Sequence, residues 1–280
     1  MSMMITFIVP LIHPESARNW SDVLERLQET LSSIDNACRG HKGVGAVVVA
    51  NKEAELDSVE FPSTVSVARV SLGPPARSVF KGDTDEADRI KMLSRDKGHK
   101  VATGVVWALD RGSEYVMNVD ADDLVSRHII DHVKANRGKN GWYVDKGWML
   151  PHRSKVALLL TDFYNWCGTF AVVKTSLFDI NKKVEDIPDK KIREIYGHHR
   201  FLLKVMREKG VPLEPFGFPV AAYIVDHGGG TYGRKSLFRD ALSIKMFFRW
   251  PRKYLARMMM LSRFGRDKDW EFGRNMKARL

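Results

Sequence analysis

Three carboxylates stand where an apolar run stops. In YVMNVDADDL, Asp120, Asp122 and Asp123 follow residues suited to a buried strand. Residues two apart on an extended chain share a face, so Asp120 and Asp122 can point into one pocket. Facing carboxylates repel unless something positive lies between them, and a divalent cation is the usual partner. Mg²⁺ or Mn²⁺ takes one or two protein carboxylates and completes its shell with water and substrate phosphates. That is the chemistry of a nucleotide-diphosphate site. The plainer alternative is an acidic loop capping the next helix, with Asp123 well placed near its N-terminus. A D-x-D pattern alone is common; its position after a buried strand gives it weight.

The elements that must position these groups read as α/β. Ile5–Ile12 is a β-branched run suited to a first strand, and Asn19–Cys38 follows with Trp20, Val23, Leu24, Leu27, Leu31 and Ile34 on one helical face. Val44–Ala50 is continuously apolar, as for a strand covered on both faces, and Val65–Val70 is a further short strand. Asp85–Arg111 reads as a helix interrupted or kinked near Gly98, Tyr115–Val119 as a strand, and Ser126 as the cap of a helix reaching about Asn136. This order predicts a largely parallel sheet, which binds ligands at the carboxyl ends of its strands. The second half is less regular. Gly141–Trp148 and Leu158–Ala171 mix aromatic, Gly and polar residues, with strand and loop expected in the latter. Ile195–Lys209 reads as a helix ended by Gly210, and Val220–Val225 as a strand ended by Asp226, His227 and three glycines.

Composition bounds the alternatives. The chain has 280 residues, 44% hydrophobic and 28% charged, which is ordinary for a globular protein and argues against disorder or a polytopic membrane protein. Only Cys38 and Cys167 occur, without C-x-x-C spacing, so a disulfide scaffold or structural zinc is not expected and a reducing compartment is. MSMMITFIVPLIHP lacks a basic flank and a cleavage site and reads as a strand, not a signal peptide. The expected location is cytoplasmic, soluble or peripheral on the inner face of the plasma membrane. The net charge is +11, and residues 234–280 hold 14 basic and four acidic residues, so nearly all of the excess lies there. Leu237, Leu242, Met246, Phe247, Trp250, Tyr254, Met258 and Leu261 recur at helical separations, and Pro251 should divide the tail into two short helices. Such a basic, aromatic-rich tail suits an anionic membrane surface, or packs its apolar stripe on the body with the charges solvated. Nucleic acid ranks third and is not expected as a partner. The resulting division is 1–233 as a catalytic unit, with a nucleotide half to about residue 125 and an acceptor half over 126–233, followed by the helical tail 234–280.

Together, ITFIVPLIHP, the long first helix, the VVVAN strand end, KGHKVATGVVWAL and YVMNVDADDLVS resemble GT-A glycosyltransferases of the family 2 type, and the resemblance extends through GHHRFLLKVMREKG and AAYIVDHGGGTYG. It covers roughly Ile5 to Gly233. It implies a GT-A-like, Rossmann-type fold and transfer of a sugar from a nucleotide-diphosphate donor, with uridine the favoured base. A divalent metal (Mn²⁺ or Mg²⁺) and inversion at the anomeric centre are also implied. The acceptor would be a glycan or lipid-linked molecule of a surface polysaccharide.

The resemblance places Pro10, Leu11 and Ile12 at the strand end bordering the base. Asn51 stands where the family often has an Asp contacting uracil or ribose, and an amide can still pair with a base edge. Asp96 and Lys100 fall where helix residues approach base and phosphates, although a surface ion pair fits equally. Asp120 would lie near the ribose or the metal, Asp122 would be the principal metal ligand, and Asp123 is the least defined. His227 would ligate the metal or bond the diphosphate, since imidazole suits Mn²⁺ and the glycines that follow, Gly229 among them, let backbone N–H groups approach phosphate. Arg234 or Lys235 could add charge there or begin the tail. Asp162 and Trp166 occupy the acceptor region, where an aromatic face suits a sugar face; core packing is the competing role for Trp166.

The family pattern breaks at the base. Inverting relatives carry an acidic pair before the helix that ends in a basic-Gly step, and this chain has His198-His199 there. Glu185-Asp186 lies too far upstream. A histidine with an ordinary value of about 6.5 can accept a hydroxyl proton near neutral pH, so His199 is the expected base with His198 supporting it. A retaining or slow enzyme also fits this break. Two other functions compete. A nucleotidyltransferase would want a Gly-rich loop after the first strand, which VPLIHPESARN lacks. A non-catalytic basic protein docking on membrane or nucleic acid through its tail would lose everything when residues 234–280 are removed.

Overall fold

Continuous apolar runs make the centre of the molecule. The computed structural model describes residues 3–75, 86–180, 183–226, 238, 242 and 251–274. Strand β1 (Ile5–Pro10) is buried along its length. Its alternate residues divide between two layers: Ile5, Phe7 and Val9 join the core under helix α1 (Trp20–Cys38), and Ile8 joins the core under helix α2 (Glu86–Asp110). Side chains that alternate on a strand require a cover on each face, and these two helices supply it. Asn19 caps α1 by accepting the Ser21 N–H at 3.1 Å.

The first sheet has the order β10-β6-β9-β4-β1-β2-β3. Strands β2 (Val44–Asn51), β3 (Val65–Val70) and β4 (Tyr115–Asn118) run parallel to their neighbours around β1, as the alternating pattern requires. Strand β9 (Ala171–Lys174) is antiparallel to both β4 and β6 (Gly141–Tyr143), and β10 (Glu214–Pro215) closes the edge. A second sheet, with order β12-β8-β7-β11-β5, is assembled from short pieces. These are β5 (Leu124–Val125), β7 (Gly147–Pro151), β8 (Val156–Leu160), β11 (Ala221–Val225) and β12 (Leu261–Arg263). The architecture is therefore mixed α/β, with two sheets flanked by helices and the larger one mostly parallel, as expected.

Several local expectations change. Helix α2 runs unbroken through Gly98, whose role is contact: a Cβ there would lie 2.2 Å from the Ile192 carbonyl oxygen. Helix α3 spans Ile129–Ala135 and His128 holds its N-cap position; Ser126, upstream, accepts the His128 N–H and donates to Glu271. The helix expected from Ile195 begins at His199 (α4, His199–Glu208), preceded by a π-helical turn over Ile192–Tyr196. The described part of the tail is not all helix. After α5 (Pro251–Met259), Leu261–Arg263 pairs with β8 as a strand, and Phe264 and Phe272, flanking α6 (Arg266–Glu271), are fully buried. Residues 261–274 are thus built into the second sheet and its core, across the boundary drawn at residue 233.

Candidate active site

Strand β4 ends at Asn118, and the chain then turns so that its three carboxylates take different environments. Asp120 forms an ion pair with Lys97 of α2, Nζ to Oδ1 2.5 Å. It also accepts from Asn118 Nδ2 at 3.2 Å, and its backbone N–H donates to Thr169 Oγ1 at 2.9 Å. Gly168 makes room for the pair: a Cβ at that position would lie 2.4 Å from Asp120 Oδ2 and 2.5 Å from Lys97 Nζ. Burial pulls the Lys97 ammonium down, but the Asp120 charge and hydrogen bond outweigh it and hold Lys97 above its usual value. Lys97 was not among the residues singled out from the sequence.

Asp123 turns inward. It is fully buried and accepts the Thr169 hydroxyl at 2.6 Å, the Cys167 thiol at 2.9 Å and the Ile224 N–H at 3.4 Å. Burial, then the charges of Asp122 and Asp120, push its carboxyl well above the ordinary range. It is a structural tie between the β4 end, the 167–169 turn and β11. Asp122 lies between these two residues and is half-buried. His227, Gly229, Arg234 and Lys235 lie outside the described residues. Among the described residues no three His, Cys, Asp or Glu side chains gather so as to hold a cation. Asp120 is closed on an ammonium and Asp123 lies in the core, so neither of these two presents an open carboxylate to a divalent ion.

The π-turn brings the histidines to the same place. Gly98 and Gly197 let α2 and the 192–197 segment touch backbone to backbone; a Cβ on Gly197 would lie 1.9 Å from the Ser94 carbonyl oxygen. One pocket is consequently lined by Lys97, Asn118, Gly168, Phe170, His198 and His199. His198 caps α4, its Nδ1 accepting the Arg200 N–H at 3.3 Å. His199 Nε2 is 3.3 Å from the Asn165 carbonyl oxygen. A carbonyl only accepts, so that contact assigns the proton to Nε2 and leaves Nδ1 with a lone pair. Burial, then the Lys97 charge, lowers His199 to about 4, which keeps the ring neutral at physiological pH. The two histidines thus lie together near Asp120, whose charge is among those that act on His199.

The remaining expected residues divide. Asn51 is fully buried at the end of β2; its Nδ2 donates to the Leu72 carbonyl at 2.6 Å while Oδ1 has no hydrogen-bond partner among the described residues. The buried oxygen Oδ1 of Asn118 is likewise without a partner among the described residues. Pro10 and Leu11 are core residues, Leu11 continuing the β1–β2 ladder through its N–H to Val49, and Ile12 packs partly on that core. Lys100 and Asp96 form a pair at 2.8 Å, with the Lys100 side chain 1% exposed. It is a buried pair closed on itself, not a surface pair and not an ammonium open to phosphates. Trp166 donates its indole N–H to Asp162 at 3.1 Å and packs partly on the core. The guanidinium of Arg257, from α5, lies 5.2 Å above its ring. That tail contact with the expected acceptor region was not anticipated.

No family model matches the chain, and no curated protein does either. Solved structures similar to it include S. aureus TarS 1–349 in complex with UDP, at 12% identity and TM-score 0.39 over 80% of this chain and 61% of that one. A second structure of S. aureus TarS 1–349 matches at 11% identity and TM-score 0.36, over 79% of this chain and 60% of that one. S. aureus TarS matches at 12% identity and TM-score 0.37, over 80% and 37%. The chain thus spans less than two thirds of the structures it is similar to. No helix among the described residues is long and apolar enough to cross a membrane.

Proposed function

We propose that this protein transfers a sugar from a nucleotide-diphosphate donor, a UDP-sugar first, to a glycan or lipid-linked acceptor with inversion. The supporting observation is one pocket at the carboxyl end of the parallel strands, lined by Lys97, which is paired with Asp120, and by neutral His199. Ligands of such sheets bind at that edge. Asn118 Oδ1, on a residue that lines the pocket and without a hydrogen-bond partner among the described residues, would accept an N–H or O–H group, which a nucleobase edge or a ribose provides.

In the proposed step the bond from the anomeric carbon to the diphosphate oxygen breaks and the acceptor oxygen bonds to that carbon. The acceptor's proton passes to His199 Nδ1, and the diphosphate leaves with the bonding electron pair. His198, proton on Nε2 and Nδ1 on the helix backbone, fixes the start of α4 and so the ring beside it. A base of low pKa is available across the neutral range but takes a proton with little driving force, so a modest turnover is expected.

Calorimetric titration of UDP, GDP and dTDP into the full chain tests the donor reading. Binding of at least one supports it; binding of none overturns it. With a donor in hand, His199→Ala should lower turnover about 100-fold or more, the usual scale of lost general-base catalysis, while leaving nucleotide affinity unchanged. Undiminished turnover would remove His199 from the mechanism. Anionic membrane as a partner rests on α5, where Leu255, Met258 and Met259 are exposed in a strongly basic segment.

A further inference from the structure

We propose that the Lys97 ammonium is itself the cation of the diphosphate site, so that this protein binds a nucleoside diphosphate without a divalent ion. The inference rests on the nucleotide-sugar reading above and concerns the same pocket.

The placement is built rather than incidental. Asp120 is the first carboxylate after β4, and its position is set from three sides: Asn118 Nδ2, the Thr169 hydroxyl on its backbone N–H, and Lys97. Only a glycine at 168 leaves space for the ammonium and carboxylate to meet. Lys97 reaches them because Gly98, the next residue on α2, seats that helix directly on the 192–197 turn. A carboxylate paired this way has spent its charge on an ammonium at 2.5 Å, and a divalent ion there would have to displace the lysine or share the carboxylate with it. The Lys97 side chain is 30% exposed and lines the pocket that His199 also lines, so a ligand approaching there can reach it. An ammonium has three N–H donors. One is committed to Asp120, leaving two for phosphate oxygens. The neighbouring lysine cannot substitute, because Lys100 is buried on Asp96.

The chemistry differs from that of a metal. A carboxylate with a divalent ion carries net positive charge, whereas Asp120 with Lys97 is neutral overall. Attraction for the diphosphate is then weaker, and it comes mainly from charge-assisted hydrogen bonds. UDP binding should be salt-sensitive and of moderate affinity.

The test is calorimetry of UDP (GDP or dTDP if either binds better) with the full chain in EDTA, then in excess Mn²⁺, for wild type, Lys97→Met and Lys97→Arg. Expected are affinities within about two-fold between EDTA and Mn²⁺, and a loss of roughly ten-fold or more in Lys97→Met, as for removal of a charged hydrogen-bond donor. Lys97→Arg should recover most of it. Binding that requires Mn²⁺ in wild type overturns the inference while leaving the nucleotide reading standing. So does a Lys97→Met affinity equal to wild type in a variant of unchanged thermal midpoint. If Lys97→Met does not fold, the wild-type comparison of EDTA with Mn²⁺ decides alone. No binding of any of the three nucleotides overturns the nucleotide reading and this inference with it.

Discussion

Replacing Asp123 by Ala should cost stability out of proportion to its neighbours. The carboxylate receives the Thr169 hydroxyl, the Cys167 thiol and the Ile224 N–H in a fully buried position. Truncation leaves all three donors without an acceptor. A buried unsatisfied hydroxyl or amide costs about 1–3 kcal/mol, a thiol less. Against this, the carboxyl is itself costly to keep ionised, as its raised pKa records, and its removal returns part of the loss. The net expectation is roughly 2–4 kcal/mol, with Asp122→Ala below about 1. Urea denaturation of both variants at fixed pH measures the difference. The pH trend adds a signed check. Because the folded carboxyl binds its proton more tightly than the unfolded one, Asp123 stabilises most at acid pH. That contribution is lost as pH rises from the unfolded value of 3.8 through the raised folded value. The cost of Asp123→Ala should therefore be larger near pH 5 than near pH 8, with other titrating groups common to both proteins. Equal costs for Asp122→Ala and Asp123→Ala, or a cost that grows with pH, would refute the assignment of Asp123 as an inward tie.

Two further outcomes follow from packing and exposure. Gly98→Ala should destabilise by about 1–3 kcal/mol despite alanine's better helix propensity, because its Cβ meets the Ile192 carbonyl at 2.2 Å. A thermal midpoint unchanged from wild type would show that the two segments separate freely. Vesicles containing phosphatidylglycerol should co-sediment the full chain, and Leu255→Asp with Met259→Asp should weaken this several-fold, since both side chains are more than half exposed. Binding insensitive to these changes and to anionic lipid would leave the α5 face without a membrane role.

What could be read from the sequence was what is local and continuous. Val44–Asn51 and Ile5–Pro10 are apolar throughout and covered on both faces, so their type follows from composition alone. The α1 face emerged from spacing, since Val23, Leu27, Leu31 and Ile34 are among its buried residues. Of the second sheet, β11 was legible in the run Val220–Val225, and most of the rest was hidden for the opposite reason. Its strands are two to five residues long, drawn from segments far apart in the chain, and β12 lies in a run whose apolar spacing favours a helix. Pairing with β8 overrides that propensity. At the site, His198 and His199 were placed by counting, but Lys97 was hidden inside RDKGHK. There Asp96 and Lys100, four apart, form the evident pair, and Lys97 points to another side of the helix. Its partner lies 23 residues on, at the end of a strand, and only the meeting of α2, β4 and Gly168 in space reveals it.

Lys97 also has a second effect, separable from its contact with Asp120. After burial, its charge is the largest cause of the low His199 value of about 4. Lys97→Met removes that charge and leaves the ring buried, so the His199 pKa should rise but stay below the ordinary 6.5. A pH titration of the histidine ring carbons and protons by NMR reads this directly, with His199→Ala identifying the resonance. The same variant should shift the acid limb of the pH–rate profile upward, because the base then becomes protonated at a higher pH. Its loss of donor affinity would be independent of pH over this range, since a methionine does not titrate. The folding linkage moves in the same direction. A histidine held at about 4 when folded and 6.5 when unfolded gives stability present above 6.5 and lost as pH falls towards 4. Narrowing that gap should flatten the decline. A His199 resonance whose midpoint is unchanged in Lys97→Met would mean that the ammonium and the imidazole do not share one pocket. The placing of the donor's cation and the base in one pocket would then fall.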